Sequence, residues 1–303
     1  MALHRMTRIT LGVRDVDETC DFYREFGLTE VAPQRFATVD GGEQLQIVAA
    51  PHRRLCEIGI GVDDADDLGR IAAQLGRVDA RVERDGDVLR TIEPVTGTPI
   101  VVSVAPRIVQ EARGAHMANG PGRVARANER AEPIDRRGPV RPRKLGHVVL
   151  GSPDPARTAR FLIEGVGFKL SDEVPGVIAF LRCSTDHHNV AVQLAPVAFM
   201  HHSSWEVEDA DEIGRGAAAL LAADPSRHLW GLGRHYIGSN YFWYLRDPAG
   251  NFVEYYSDLD LIADGPGWIP VAFGAENGLA AWGPPVPPAF LAPEDMAELM
   301  GAA

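Results

Sequence analysis

The sequence has few cysteines, no long apolar run, and fewer basic than acidic residues. Its three cysteines (Cys20, Cys56 and Cys183) are widely spaced, which is typical of free thiols in a reducing compartment rather than of disulfides or a zinc site. No run of about 18 apolar residues is present, and the N-terminus lacks the apolar stretch of a signal peptide, so we expect a cytoplasmic protein. The net charge of −12 argues against general binding to nucleic acids or to anionic membranes.

What the sequence does contain is an internal repeat. The segments VDDADDLGRIAAQL (62–75) and VEDADEIGRGAAAL (207–220) match at nine of fourteen positions. Each follows a short alternating run and carries aspartates suited to capping the start of a helix. The flanking segments also correspond, as a strand, a turn and a helix upstream and as two strands joined by a turn downstream. Two copies of one βαβββ-type domain are therefore predicted.

The repeat divides the 303 residues into four parts. We expect one domain at residues 1–105 and a second at 145–258. Residues 106–144 carry nine arginines together with Pro and Gly, which predicts a linker with at most one short helix. In so acidic a chain, this basic segment is expected to pack on its own domains or a neighbouring subunit. Residues 259–303 are rich in Pro and Trp and are expected to wrap or cover a surface.

Histidine is concentrated in the second copy, where seven of the ten lie. His147 falls in its first strand, His202 in its third-strand region, and Glu254 in its last strand between apolar neighbours. Singly, each has an ordinary interpretation, as a core histidine or a solvated glutamate. Together, two imidazoles and one carboxylate on separate strands form a set that suits Fe(II) and leaves coordination positions open.

The first copy serves as an internal control for this interpretation. When the copies are aligned, His202 falls on Glu57, Glu254 on Val101, and His147 near Arg8. The first copy therefore keeps the scaffold but lacks this set of ligands, and we expect it to hold no metal and to serve as structural support or an oligomer contact.

Four histidines form two adjacent pairs, His187–His188 and His201–His202. Neighbouring residues of a strand point to opposite faces, so at most one member of each pair can face a given pocket.

The segments LGHVVL, HHNVAV, MHHSSWEV, GRHYIGSNYFWYLRDPAGNFVEYYSD and WGPP together resemble, in this order, type I extradiol (catechol meta-cleaving) dioxygenases. The resemblance is to the dihydroxybiphenyl and catechol 2,3-dioxygenase branch of the vicinal oxygen chelate superfamily. It implies an α+β fold of two tandem vicinal-oxygen-chelate domains. Each domain would be a pair of βαβββ modules forming a curved mixed sheet around a central cavity.

The resemblance also implies roles for individual residues. The iron ligands would be His147, His202 and Glu254. The catalytic residues would be His188, as the acid–base histidine, His235 and Tyr244. The substrate-binding residues would be Phe180, Val149, His235 and Tyr244. The match selects the second histidine of each pair, so we expect His201 and His187 to face away from the pocket, His187 as a surface or packing residue.

By the same resemblance, the protein would use Fe(II), with Mn(II) as the alternative, to insert O2 into a catechol and give a muconic semialdehyde-type product. We expect a homo-oligomer. Aromatic residues expected near the site favour an apolar bicyclic or substituted catechol, with Arg234 the only nearby cation. These aromatic residues are Phe180, Trp205, Phe242, Trp243 and Trp282.

Two other functions remain open on the sequence. One is a non-redox, metal-dependent isomerase or lyase on the same scaffold, which typically draws ligands from both copies, whereas the first copy offers only one candidate. The other is a metal-free protein that binds small aromatic molecules, against which the ligand set of the second copy argues.

Overall fold

A computed structural model describes residues 2–112, 117–263, 265, 267–274 and 279–301 of the chain. The expected linker (106–144) and C-terminal segment (259–303) each include a few residues that lie outside these ranges. The described residues form two large curved mixed sheets with helices packed against them, which confirms the predicted α+β class.

The first sheet is built from two βαβββ modules. The bounds of the first module are β1 (Leu3–Val13), α1 (Val16–Glu25), β2 (Thr29–Ala32), β3 (Arg35–Thr38) and β4 (Gly42–Ala49). Those of the second are β5 (Arg54–Val62), α2 (Ala65–Arg77), β6 (Glu83–Asp85), β7 (Val88–Ile92) and β8 (Pro99–Val104). A short helix, α3 (Glu132–Asp135), lies between the two sheets in the chain.

The second sheet repeats this plan. Its first module comprises β9 (Lys144–Ser152), α4 (Pro155–Arg160) with a π-helical continuation (Phe161–Val166), β10 (Lys169–Val174), β11 (Ile178–Arg182) and β12 (Val190–Leu194). Its second comprises β13 (Phe199–Glu206), α5 (Ala210–Ala223), β14 (His228–His235), β15 (Tyr241–Arg246) and β16 (Phe252–Ser257).

Strand order shows that the two sheets share one design. The central strands run β4–β1–β5–β8 in the first sheet and β12–β9–β13–β16 in the second. In each, the first strands of the two modules pair antiparallel, and each of them pairs parallel with the last strand of its own module. The tandem βαβββ arrangement predicted from the repeat is therefore present.

Aspartate caps mark the helix starts at corresponding places in all four modules. Each cap side chain accepts a hydrogen bond from the backbone N–H three residues later, which satisfies a donor that the first helical turn leaves free. The caps are Asp15, Asp64, Asp154 and Asp209. The caps of α2 and α5 confirm the helix starts predicted from the repeated segments.

A continuous apolar core joins the two halves of the chain. The rings of Phe26 and Tyr255 stack across this boundary, with centroids 4.0 Å apart and an interplanar angle of 1°. The Tyr255 hydroxyl also donates to the Phe26 carbonyl at 2.6 Å. The Trp205 ring packs edge-on against Tyr23 and Phe26. The second sheet is thus fixed against the first by buried aromatic contacts.

The C-terminal segment runs along the second sheet. Its elements are β17 (Val271–Ala272), β18 (Ala280–Trp282), α6 (Pro288–Leu291) and α7 (Met296–Gly301). Strand β17 extends one edge beside β10, and β18 extends the other beside β14. None of the helices in the described ranges has the length and apolarity needed to cross a membrane.

Replacing Phe26 with Ala should lower the free energy of unfolding of the metal-free protein by about 3–5 kcal/mol, because it leaves a cavity between the two halves. Urea unfolding measures this change. Tyr255→Phe is the matched control: it keeps the ring stack and removes only the hydroxyl hydrogen bond, at a cost of about 1–3 kcal/mol. Equal losses for the two variants would show that the stack does not hold the halves together.

Candidate metal centre and cavity

Three neighbouring strands of the second sheet bring two histidines and a glutamate together. Ser204 on β13 is in register with His147 on β9 and with Glu254 on β16. His202 lies two residues before Ser204, on the same strand. One ligand atom from each of His147, His202 and Glu254 lies within 4.8 Å of the others. The three side chains singled out in the sequence therefore meet at one point.

This cluster is buried and short of hydrogen bonds. Glu254 is 0% exposed, and its Oε2 has no hydrogen-bond partner. That oxygen lies 3.1 Å from His147 Nε2 and 3.6 Å from His202 Nε2, and the latter nitrogen also lacks a hydrogen-bond partner. A buried carboxylate oxygen without a donor is costly. A divalent cation among these atoms would satisfy them, so the residues fit a metal ion of the kind that two histidines and one carboxylate bind.

His188 lies beside this cluster. Its ring centroid is 4.2 Å from that of His147 and 5.1 Å from that of Phe180. Burial lowers the pKa of His188 well below 6.5, and the neighbouring His147 adds to the shift. The ring is therefore neutral near pH 7 and can accept a proton.

His235 and Tyr244 form a hydrogen-bonded pair next to Glu254. The His235 Nδ1 contacts the Leu279 carbonyl at 2.6 Å, and its Nε2 lies 2.9 Å from the Tyr244 hydroxyl. Since a carbonyl only accepts, Nδ1 carries the proton and Nε2 accepts from the hydroxyl. Burial, followed by the Glu254 charge, raises the pKa of Tyr244 well above 10, so the phenol keeps its proton.

A cavity of about 80 Å³ is lined by His147, His188, His202, His235 and Tyr244. Val149 and Phe180, the two further residues expected to contact substrate, both line it. Most of the remaining wall is aliphatic or aromatic, and no lysine or arginine in the described part of the chain lines it. Arg234 instead pairs with Asp258 at 2.6 Å and covers the Tyr241 ring.

Of the five aromatic residues expected near the site, only Phe180 lines the cavity. Phe242 stacks behind His235, with ring centroids 4.1 Å apart. Trp205 is in the core between the two halves, and Trp282 is 49% exposed. Trp243 contacts His228 instead, because successive residues of β15 point to opposite faces of the sheet. The expectation for Trp205 and Trp243 was wrong, and Trp282, on the strand beside β14, does not line the cavity.

Several residues around the cavity were missed in the sequence. The C-terminal segment supplies Leu279 and Phe290 to the wall. The Asn240 amide donates to Glu254 Oε1 at 3.3 Å. The Pro-rich tail has no periodic pattern that would single out Phe290, and Asn240 follows a turn, so no sequence signal distinguished them.

Of the first members of the histidine pairs, only His201 differs from expectation. His187 is 0% exposed and is not among the residues that line the cavity, as expected of a packing residue that faces away from it. His201 is 2% exposed. His201 lines the cavity together with His202. Strand alternation does not apply here, since β13 has a register shift between Met200 and His202, and the other pair precedes the start of β12.

The first sheet has different residues at the corresponding positions. Gly59 is in register with both Arg8 and Val101, as Ser204 is with His147 and Glu254. The structure thus supports the alignment made from sequence. Arg8 donates to Glu57 at 2.8 Å and to Glu43 at 3.3 Å, so a guanidinium and two carboxylates form an ion-pair cluster at these positions.

Comparison with known proteins places this geometry in a family. A sequence profile of the Glyoxalase/Bleomycin resistance protein/Dioxygenase superfamily matches residues 144–255. Two solved structures share the fold, a Mn(II)-bound glyoxalase from Novosphingobium aromaticivorans and a mutant of homoprotocatechuate 2,3-dioxygenase from Brevibacterium fuscum. The glyoxalase has a TM-score of 0.72 at 24% identity, over 94% of this chain and 95% of that one. The dioxygenase has a TM-score of 0.74 at 19% identity, over 95% of this chain and 81% of that one.

A curated relative extends the comparison to nearly the whole sequence. Metapyrocatechase 2 from Cupriavidus necator is 32% identical over 301 aligned residues, which cover 96% of this chain and 92% of the relative. Because similarity at this level spans both domains, and the two histidines and one glutamate meet in the second, the chain belongs to the extradiol dioxygenase family of the vicinal oxygen chelate superfamily.

Proposed function

We propose that this protein is an Fe(II)-dependent extradiol dioxygenase that inserts O2 into the ring of an uncharged, apolar catechol to give a muconic semialdehyde-type product. The observation that carries the proposal is the buried cluster of His147, His202 and Glu254, which borders a cavity with neutral His188 beside it. The whole-length similarity to metapyrocatechase 2 supports the same reaction.

His147, His202 and Glu254 would hold the metal. When bound, it would lower the pKa of a ligated phenol and hold both reactants close together. Fe(II) is favoured by the two-histidine, one-carboxylate set, and Mn(II) is the alternative. Asn240 would keep the Glu254 carboxylate in place through its hydrogen bond to Oε1.

The remaining polar residues would handle protons and orient substrate. His188 is neutral and buried, so it can take a proton from a bound catechol and later return it. Tyr244 keeps its hydroxyl proton, and its ring lies 5.0 Å from that of His202. Because its proton is donated to His235 Nε2, the Tyr244 hydroxyl would accept a hydrogen bond from a substrate hydroxyl near the metal, and His235 would hold the phenol in position. The apolar wall would exclude water from this space.

The charge and size of the cavity also favour one class of catechol as substrate. An anionic substituent would find no cation among the described lining residues, which favours an uncharged diol. An apolar cavity of roughly 150 Å³ is enough to hold benzene. Since this cavity is smaller, at about 80 Å³, a substituted monocyclic catechol should enter with less rearrangement than a biphenyl diol.

Anaerobic reconstitution with Fe(II), followed by addition of oxygen and a panel of catechols, tests the function directly. The expected result is a yellow ring-cleavage product, with higher kcat/KM for alkyl-substituted catechols than for carboxylated ones. A parallel reconstitution with Mn(II) identifies the metal that supports turnover. If every catechol is left unchanged while the metal is bound, the proposed reaction is wrong.

His147→Ala, His202→Ala and Glu254→Ala should each abolish metal retention, because each removes one of three ligands, and the wild type should hold one ion per chain. Elemental analysis after desalting measures both. Glu57→Ala is the matched control, since Glu57 takes the place of His202 in the first sheet, and it should keep the ion. Full metal content in any two of the three ligand variants, or two ions per wild-type chain, would contradict the assignment.

His188→Ala should keep metal and substrate binding but slow the chemical step by about 10²- to 10⁴-fold, the usual contribution of a positioned acid–base group. Single-turnover kinetics with preformed anaerobic substrate complex isolates this step from binding. An unchanged single-turnover rate would exclude His188 from proton transfer.

A further inference from the structure

The two histidine pairs make the same set of contacts. We call His187 and His201 the outer histidines, and His188 and His202 the inner ones. In the first pair, the two Nδ1 atoms are 3.0 Å apart, and the outer Nε2 lies 2.8 Å from Asp172 Oδ2. In the second, the two Nδ1 atoms are 2.8 Å apart, and the outer Nε2 lies 2.7 Å from the Phe290 carbonyl oxygen. Each outer histidine thus connects an oxygen atom to its inner neighbour.

Hydrogen-bond chemistry fixes the direction of both chains. An ionised carboxylate and a backbone carbonyl only accept, so each outer Nε2 must carry its proton. A neutral imidazole has one N–H, which leaves the outer Nδ1 as an acceptor. The inner Nδ1 must then be the donor, and the inner Nε2 keeps its lone pair.

We propose that His187 and His201 are positioning residues that set the tautomers of His188 and His202, with Asp172 and the Phe290 carbonyl as their fixed acceptors. The tautomer assignment stands on these contacts alone, whereas the catalytic consequence rests on the proposed dioxygenase function. In both pairs, the outer histidine would then set the tautomer of the inner one in the same way.

The preset tautomer suits the function of each inner ring. His202 Nε2 is the nitrogen that faces Glu254 Oε2 and lacks a hydrogen-bond partner, so its free lone pair is directed at the candidate metal position. His188 would present an unprotonated Nε2, which is the form that a general base requires. A histidine ligand generally donates its other N–H to a partner that fixes ring and tautomer, and here that partner is another histidine.

Both acceptors are held by the C-terminal segment. Phe290 belongs to α6 itself, and its ring packs 4.7 Å from that of His201. The other Asp172 oxygen, Oδ1, accepts from the Val271 N–H at 2.7 Å. The Trp268 ring packs edge-on against His187.

Asp172→Asn tests the first chain. An amide can donate to His187 Nε2, so His187 can shift its proton to Nδ1 and force the proton of His188 onto Nε2. Exchanging the orienting aspartate of a catalytic triad for asparagine costs about 10⁴-fold in kcat through the same wrong tautomer. We expect kcat to fall by about 10²- to 10⁴-fold, with KM and metal content unchanged. Asp260→Asn is the control. Its carboxylate accepts from Ser239, and its contact with His187 is made by the backbone carbonyl, which the substitution keeps, so this variant should keep wild-type kcat.

Histidine ¹⁵N NMR of the metal-free protein reads the tautomers without relying on activity. In the wild type, the outer rings should be protonated at Nε2 and the inner rings at Nδ1. In Asp172→Asn, the His187–His188 pair should switch while the His201–His202 pair stays as it was. A wild-type His188 protonated at Nε2, an imidazolium at His187, or an unchanged kcat in Asp172→Asn would each overturn the proposal. If the tautomers are as assigned but no catechol is cleaved, the proposed function fails and this inference stands.

The second chain is tested through metal affinity. His201→Phe keeps a ring of similar size but can neither accept from His202 nor donate to Phe290, and it should weaken metal binding by about 10- to 100-fold, the usual effect of losing such a partner. His201→Gln, whose amide can both donate and accept, should retain more affinity. Competition with a chelator measures both variants. Wild-type affinity in His201→Phe would show that His201 does not position His202.

Discussion

A carboxylate removed from water must be met by positive charge or by hydrogen-bond donors, and this requirement organises the centre of the second sheet. Glu254 is fully buried, yet one of its oxygens has no hydrogen-bond donor. The adjacent His202 cannot supply the charge, because burial lowers its pKa well below 6.5 and keeps the ring neutral near pH 7. A divalent cation would balance the carboxylate and use the free histidine nitrogen at the same time.

At the corresponding positions of the first sheet, partly exposed carboxylates pair with a side-chain cation. Its aligned positions hold Arg8, Glu57 and Val101. Glu43 corresponds to His188, because each lies two residues before the strand residue that pairs with the first sheet's Ile9 or the second sheet's Val148. The Arg8 guanidinium bonds to both glutamates. A cation built into the chain thus sits at the positions where the second domain gathers metal-ligand side chains, which supports the proposal that the first domain holds no metal.

The sequence was informative where the repeat constrained it. His147, His202 and Glu254 could be predicted as ligands because each falls at a defined strand position whose counterpart in the first copy has a different residue. Strand alternation failed for the histidine pairs, because a register shift in β13 and a non-strand segment before β12 let neighbouring side chains touch. The tryptophans were misassigned because proximity in the chain does not reveal which side of a strand faces the cavity.

The tail and the first domain contribute to the site in a way that no motif indicates. Arg53 lies in the loop between β4 and β5, and its side chain is only 3% exposed. It donates to the Met200 carbonyl at 3.0 Å and to Asp295 Oδ1 at 2.8 Å. Met200 immediately precedes His201 in the chain, and Asp295 lies in the segment that carries Phe290.

One guanidinium of the first domain therefore anchors both partners of the hydrogen bond between His201 and the Phe290 carbonyl. Arg53 is buried whereas Asp295 is 30% exposed, so removing Asp295 would leave a buried cation without this carboxylate partner, which is costly. The first domain, which lacks the ligand side chains, would thus help to set the geometry of His202 through the segment that closes the cavity. The two similar domains would therefore have different roles: the second holds the metal ligands, and the first holds the C-terminal segment that orients them.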